Sequence, residues 1–291
     1  AVALDESGVI IEDGVVARLD DDIYYVTATS SGAEGFYRDL QRWALIWGLN
    51  VTIINATGQY AAMNIAGPNS RAIMEQLTDI DLSPDAFPYL GVRQSTVADA
   101  SAMLLRVGFV GELGYEVHVP VSQGMHVWQA ILEAGKASDV QPFGTEAQRL
   151  LRMEKGHIII GHDTDALTTP FEVELEWAIG KNKPFFVGQR SLDAMRKKPV
   201  ERTLVGISWP KGYAGPLPEE CHLMIEQGKI VGRVTSVAGR TTLGHPLGMA
   251  LIHPDFATPG TGVTVRVDGG ATSRTTVVEL HQYDPKNERQ A

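Results

Sequence analysis

Hydrophobic positions follow two periods along this chain, and the pattern changes near residue 200. In the first part, strand-like runs alternate with amphipathic helical ones. Residues 1–4, 9–19 and 23–29 read as strands, with turns at Asp5-Glu6-Ser7-Gly8 and Asp20-Asp21-Asp22. Ser30-Ser31-Gly32 caps a helix over residues 33–47, and residues 51–54 and 60–65 read as two more strands. Gly67-Pro68-Asn69-Ser70 starts a helix to about residue 77, and a proline-punctuated loop covers residues 83–91. Two apolar stretches, 102–105 and 115–119, flank a glycine-rich reversal. Residues 123–138 form an amphipathic helix with Val127, Trp128, Ile131 and Leu132 inward. Thr145 and Gln148 make a capping box for a helix over residues 144–156, with Gly156 at the C′ position. A short helix over residues 169–177 and a last one after Gly188 close this part. From Thr203 the period is two, with strands at 204–208, 222–226, 230–236, 248–252, 263–267 and 275–280. Six short strands with glycine turns predict a small barrel or sandwich. The fold class is therefore α+β: a mixed domain over residues 1–200 and an all-β domain over residues 201–291.

The reversal reads Arg106-Val-Gly-Phe-Val-Gly-Glu-Leu-Gly-Tyr-Glu-Val-His-Val-Pro120. Gly108, Gly111 and Gly114 suit a tight chain reversal or a close backbone approach. After them Tyr115, Val117 and Val119 alternate with Glu116 and His118, so Glu116 leaves the opposite face from Tyr115. A carboxylate there can accept two parallel hydrogen bonds from a flat heterocycle with adjacent N–H groups; the plain alternative is a surface glutamate on a polar strand face.

Three other clusters stand out. Glu12 and Asp13 are adjacent carboxylates in a strand, so at least one faces inward and needs a partner or a cationic ligand, unless a β-bulge at Asp13-Gly14 leaves both solvated. On the 144–156 helix, Glu154 shares a face with Ala147, Leu150 and Leu151, where a structural ion pair or a helix-to-loop hydrogen bond is expected. Arg149 and Arg152 lie on the other side, as a solvated face or as an anion or carbonyl clamp. His157 and His162 lie close to Asp163 and Asp165. Five residues apart, the histidines lack the i, i+4 spacing of helical zinc sites, and no metal is expected. Gly32 and Gly35 do not complete a Gly-x-Gly-x-x-Gly loop, which argues against a dinucleotide fold.

Composition narrows the function classes. A net charge of −10 repels nucleic acid and anionic membrane, so neither is expected as a partner. A single cysteine, Cys221, excludes an internal disulfide and suits a reducing compartment. No apolar run is long enough to span a bilayer, and the start does not resemble a signal peptide. A soluble, cytoplasmic protein is expected. The chain opens inside a sheet, which predicts that its natural N-terminus lies on a longer precursor or on a partner chain.

Several stretches, in order, resemble the folate-binding aminomethyltransferase family of the glycine cleavage T-protein. They are Ser7-Gly-Val-Ile-Ile-Glu-Asp13, Ile65-Ala-Gly-Pro-Asn-Ser-Arg71, residues 108–117 of the reversal, and Leu151-Arg-Met-Glu-Lys-Gly156. Further along come Gly161-His-Asp-Thr-Asp165 with Thr169-Pro170, Phe186-Val-Gly-Gln-Arg-Ser-Leu192, Val231-Gly-Arg-Val-Thr-Ser236 and Tyr283-Asp-Pro285. Within the family the chain is most similar to the C-terminal half of the α subunit of heterotetrameric sarcosine oxidase. The family's first hundred or so residues have no counterpart.

The resemblance implies a mixed aminomethyltransferase-like domain, incomplete at its N-terminus, followed by a small barrel. It implies tetrahydrofolate as cofactor, with Glu116 binding the pterin and Asp13 catalytic. Arg152 and Lys181 fall where basic ligand contacts occur, Tyr283 at a late tyrosine near the folate, and Phe109 where glycine-cleavage proteins carry tyrosine. His157 stands where folate-dependent iron–sulfur repair relatives carry cysteine, which argues against that role. Flavin is expected only in partner chains or in the missing N-terminal part. There a small secondary amine such as sarcosine would be oxidised, and the one-carbon unit would be captured here as 5,10-methylenetetrahydrofolate. The alternatives are a free-standing aminomethyltransferase or demethylase, and a non-catalytic folate-binding assembly module.

Overall fold

A computed structural model describes residues 1–290. In chain order the elements are strands β1 (Val2–Leu4), β2 (Ile10–Asp13), β3 (Val16–Arg18) and β4 (Tyr24–Val26), then helix α1 (Ala33–Ile46). Next come β5 (Tyr60–Ala66), α2 (Ser70–Met74), β6 (Val92–Val97), β7 (Ala100–Leu105), β8 (Gly114–Pro120) and α3 (Gly124–Ala134). Helices α4 (Thr145–Lys155) and α5 (Gln189–Met195) precede β9 (Thr203–Ser208), β10 (Leu223–Glu226), β11 (Lys229–Ala238), β12 (Leu247–Ile252), β13 (Gly262–Arg266) and β14 (Thr272–Val278).

Four departures from the expected elements have physical reasons. The 9–19 stretch breaks at Gly14 into β2, which pairs with β1, and β3, which pairs with β4. Residues 51–54 are not a strand: Val51 and Ile54 are exposed, and β propensity without a paired neighbour does not make a ladder. The expected 169–177 helix is a series of turns, because Glu174 sits in the left-handed region at φ 57°. Strand β6, Val-Arg-Gln-Ser-Thr-Val, was not expected. It is an edge strand, and its mostly polar residues need only one neighbour.

Two compact units divide the chain, and they do not follow chain order. One comprises Val15–Thr27, Ala33–Gln148 and the tail from Lys286. Its sheet has the order β5-β8-β7-β6, antiparallel throughout. One face packs Ile65, Leu104, Tyr115, Val117 and Val119 against Ile73 and Met74 of α2 and Val127 and Ile131 of α3. The other face packs Met103 and Leu105 against Ala17 of β3 and Tyr25 of β4. Alternation along β8 therefore sorts its side chains between two different packings. Helix α1 buries none of its residues; Leu45, Ile46 and Trp47 stand exposed beside a stacked Trp43–Trp47 pair.

The second unit comprises Ala1–Gly14, Ala28–Gly32 and Arg149–Pro285. The six late strands close into a barrel of order β10-β11-β12-β9-β14-β13, which resolves the barrel-or-sandwich alternative. Strand β12 shows how. Ala250 and Ile252 pack among Val205, Ile207, Val234 and Val263, while Leu247, Met249 and Leu251 pack on Met153 of α4, Leu192 of α5 and Ile10 of β2. A strand buried on both faces reads as a nearly continuous apolar run, as Leu-Gly-Met-Ala-Leu-Ile does.

Candidate functional site

In the first unit the site is built on the β7–β8 hairpin. Gly111, at φ 86°, makes the reversal in a conformation that side chains rarely adopt. A Cβ on Gly114 would lie 2.9 Å from the Val107 carbonyl, so the hairpin arms close only on glycine there. Tyr115 then enters the core fully buried, and Glu116 emerges on the other face with 31% of its side chain exposed. It faces Asn64 across the β5–β8 ladder and Leu105 across β7–β8. Its Oε2 lies 3.3 Å from His118 Nε2, and its Oε1 accepts no hydrogen bond among the described residues. On the far side of the His118 ring, Tyr25 OH is 3.0 Å from Nδ1. Burial, and then the neighbouring Tyr60 and Glu116, push the Tyr25 phenol above its ordinary value.

Asn64 also lines a cavity of about 530 Å³ together with Phe109, Ile73, Trp128, Ile131 and Phe143. Its walls are mostly apolar and aromatic, the kind of concavity that takes a flat organic ring. Phe109 and Glu116, both named from the resemblance, stand on one hairpin: Phe109 lines this cavity with Ile73 and Ile131, which pack on the Tyr115 face of the sheet, and Glu116 leaves the other face.

The second unit holds the other residues. Glu12 is the inward member of the carboxylate pair: its oxygens accept from Thr29 N and Oγ1 and from Asp13 N, at 2.9–3.1 Å. Its partner is thus a hydroxyl and two amides rather than a cation. A Cβ on Gly32 would land on Glu12 Oε2, so this arrangement requires glycine there. Asp13 is half-buried and stays in register with Val2, so no bulge forms at Asp13-Gly14. Burial, and then the charge of Glu12, push its carboxyl up to about 6.

Helix α4 ends in an enclosed turn. Arg152 is 3% exposed. Its Nη1 donates to the His157 carbonyl and to the fully buried Asp163, and its Nη2 donates to Ser236 Oγ at 2.8 Å. Of the two expectations for this arginine, the solvated face gives way to a clamp, and the clamped groups belong to the same unit. Glu154 makes the helix-to-loop hydrogen bond, to Thr242 N and Oγ1. Its carbonyl accepts from Tyr283 N at 2.8 Å, which fixes the backbone of the late tyrosine. Lys181 is exposed. His162 lies 2.9 Å from Arg149 Nη2 and within 3.3 Å of Glu220, in an ionic cluster on the wall of a second concavity. Nearby, burial alone would raise Asp165, but hydrogen bonds from Arg202, Thr168 and Leu167 N hold it well below the usual carboxylate range.

Sequence reasoning passed over His118 and Tyr25. The first was within reach, since residues two apart on a strand share a face; the second comes from β4, ninety-three positions away.

Comparison with known proteins identifies the family of the fold. Residues 1–183 match the family model of the GCVT N-terminal domain, and residues 202–284 match that of the glycine cleavage T-protein C-terminal barrel domain. The chain is 33% identical to the sarcosine oxidase subunit alpha of Corynebacterium sp. (strain P-1) over 97% of its own length, and it spans only 30% of that protein. It is 32% identical to an aminomethyltransferase of Halothermothrix orenii, covering 90% of this chain and 71% of the relative. The glycine cleavage aminomethyltransferase T structure from Bartonella henselae superimposes with a TM-score of 0.82 at 23% identity, over 98% of this chain and 75% of that one, and shows the same fold. The chain therefore belongs to the aminomethyltransferase family of the glycine cleavage T-protein.

Proposed function

We propose that this chain binds tetrahydrofolate and captures on it, as 5,10-methylenetetrahydrofolate, the one-carbon unit released when a partner flavoprotein oxidises a small secondary amine such as sarcosine. The observation that carries the reading is the Glu116 carboxylate. It is partly exposed at the end of a glycine-shaped hairpin, anchored through one oxygen and with the other unengaged. Such a group suits the N3–H and 2-amino donors of a pterin, which present a charge-assisted bidentate pair.

The bound cofactor would supply the nucleophilic nitrogens that take up the one-carbon unit. Asp13, pushed up to about 6, holds a proton in weakly acidic solution and releases it toward neutrality, the property that a proton relay or an iminium-stabilising group requires. The exposed Lys181 offsets the cofactor's glutamate carboxylates in an acidic protein. Tyr283 contributes from a backbone fixed by α4, and Arg152 acts at one remove by holding Asp163 and the turn at His157. Flavin belongs to partner chains or to a further segment. The uncovered apolar side of α1 supports such a neighbour, and the sarcosine oxidase relative supports its identity. The single cysteine supports a cytoplasmic setting. Among the described residues no helix is long and apolar enough to cross a membrane.

A second reading, a free-standing aminomethyltransferase, is favoured by the relative of that name, 71% of which is spanned. Native mass spectrometry separates the two: co-purifying flavoprotein subunits support the first. Titration calorimetry with tetrahydrofolate tests the shared core. Glu116→Ala is expected to weaken binding by roughly 2 kcal/mol or more, because the pterin donors lose a charged acceptor. Unchanged affinity would refute the role of Glu116.

A further inference from the structure

One face of the β5-β8-β7-β6 sheet carries a chain of three polar side chains, and the resemblance assigns a role to only one of them. Glu116 and His118 are two apart on β8, so both project to this face, beside Asn64 and Ala62 of β5 and Met103 of β7. Tyr25 of β4 meets the His118 ring edge-on at 5.5 Å and Tyr60 edge-on at 5.8 Å. His118 is 5% exposed, so its ring nitrogens must find partners within the protein.

The chemistry of the three groups fixes the direction of the chain. A carboxylate only accepts, so the hydrogen between His118 Nε2 and Glu116 Oε2 sits on Nε2. In a neutral ring Nδ1 is then bare and accepts the Tyr25 O–H at 3.0 Å. A phenol raised by burial stays protonated and keeps that donor. In that tautomer every group is satisfied, and the donors run from Tyr25 to His118 to Glu116.

We propose that His118, oriented by Tyr25, is a positioning residue that presets the Glu116 carboxylate for a ligand edge carrying two adjacent N–H donors. The proposal rests on the folate reading of Glu116 given above. A glutamate alone on a half-exposed strand face samples several rotamers and loses that freedom on binding. His118 fixes one oxygen beforehand and leaves Oε1 and a lone pair of Oε2 for the ligand. The single Nε2–H donor orients the group and leaves the second oxygen to the ligand's donors. The arrangement therefore selects 2-amino-4-oxo pteridines over analogues with an acceptor at the 2-position.

Two measurements on the full chain test this. The first reads the relay without ligand, by long-range proton–nitrogen NMR of 15N-labelled histidine at mildly alkaline pH. His118 is expected as the Nε2–H tautomer, becoming a tautomer mixture only when Tyr25→Phe removes the opposing donor and Glu116→Ala the acceptor together. An Nδ1–H tautomer in the wild type, or an Nε2–H tautomer unchanged in that double variant, would overturn the proposal. The second is calorimetry with tetrahydrofolate on two conservative variants. The amide nitrogen of His118→Gln reproduces the Nε2 donor, whereas that of His118→Asn reaches only the Nδ1 side. The glutamine variant is expected to bind within about threefold of wild type and the asparagine variant about tenfold more weakly. Equal affinity of the two would overturn the proposal while leaving the folate reading intact. A wild-type chain without tetrahydrofolate affinity would remove that reading, and the NMR result would still decide whether the relay exists.

Discussion

Replacing Arg152 with methionine separates two roles for this guanidinium, one toward a ligand and one toward the protein's own interior. The side chain is buried under β11 and β12, where Nη1 contacts the His157 carbonyl, Asp163 and Met249 Sδ, and Nη2 contacts Ser236 Oγ. Asp163 has no exposure. It keeps the hydroxyls of Thr235 and Ser236 at 2.7 Å and Ile159 N at 3.0 Å when the arginine is removed, but it loses its only cationic partner among the described residues. Methionine matches the stem and leaves a buried, uncompensated carboxylate, a change that costs about 3–5 kcal/mol. For a chain of this size that corresponds to a fall in melting temperature of about 5–8 °C. Adding Asp163→Asn removes the orphaned charge and recovers part of the loss, since the pair couples through direct contact. Thermal unfolding followed by circular dichroism measures the stability, and calorimetry with tetrahydrofolate at low temperature measures binding by the folded fraction. The expected pattern is a large loss of stability with nearly normal affinity. An Arg152→Met variant that melts with the wild type yet fails to bind tetrahydrofolate would refute the argument and return the guanidinium to the ligand.

Three further outcomes follow from the carboxylate pair. Asp13→Asn is expected to retain tetrahydrofolate binding and to slow one-carbon transfer in single-turnover kinetics; an unaltered rate counts against the relay role. The same variant changes the pH dependence of stability. Because the folded pKa of about 6 lies above that of the unfolded chain, the ionised group disfavours folding; this cost is full above pH 6 and fades as pH falls toward the unfolded value. Asparagine should therefore stabilise the protein at neutral pH by on the order of 2 kcal/mol and remove that slope, as denaturant titrations across the range would show. Gly32→Ala places a methyl group against Glu12 Oε2 and is expected to cost about 1–3 kcal/mol. A melting temperature equal to wild type would refute the claim that the Glu12–Thr29 contacts require glycine at this position.

What the sequence discloses depends on how local the deciding interaction is. The barrel strands were readable because each residue's face is fixed by the parity of its neighbours, as Met249 and Ala250 show by entering different cores. The Glu116 face was readable for the same reason. Residues 51–54 have strand composition and form no strand, because pairing is a property of the neighbour and not of the segment. Arg152 misled for a related reason. A helical wheel assigns a polar side to solvent, but the last turn of α4 is enclosed all round, with Arg152, Met153, Glu154 and Lys155 all buried. The wheel gives direction, and only the tertiary surroundings say what lies in that direction. The adjacent acids make the point sharpest. Glu12 and Asp13 are indistinguishable by type and pattern, yet Thr29 supplies hydrogen bonds to the first, while the second is left to burial and to its neighbour's charge. The difference between a carboxylate satisfied by hydrogen bonds and one pushed up by burial thus lies with a threonine seventeen residues away.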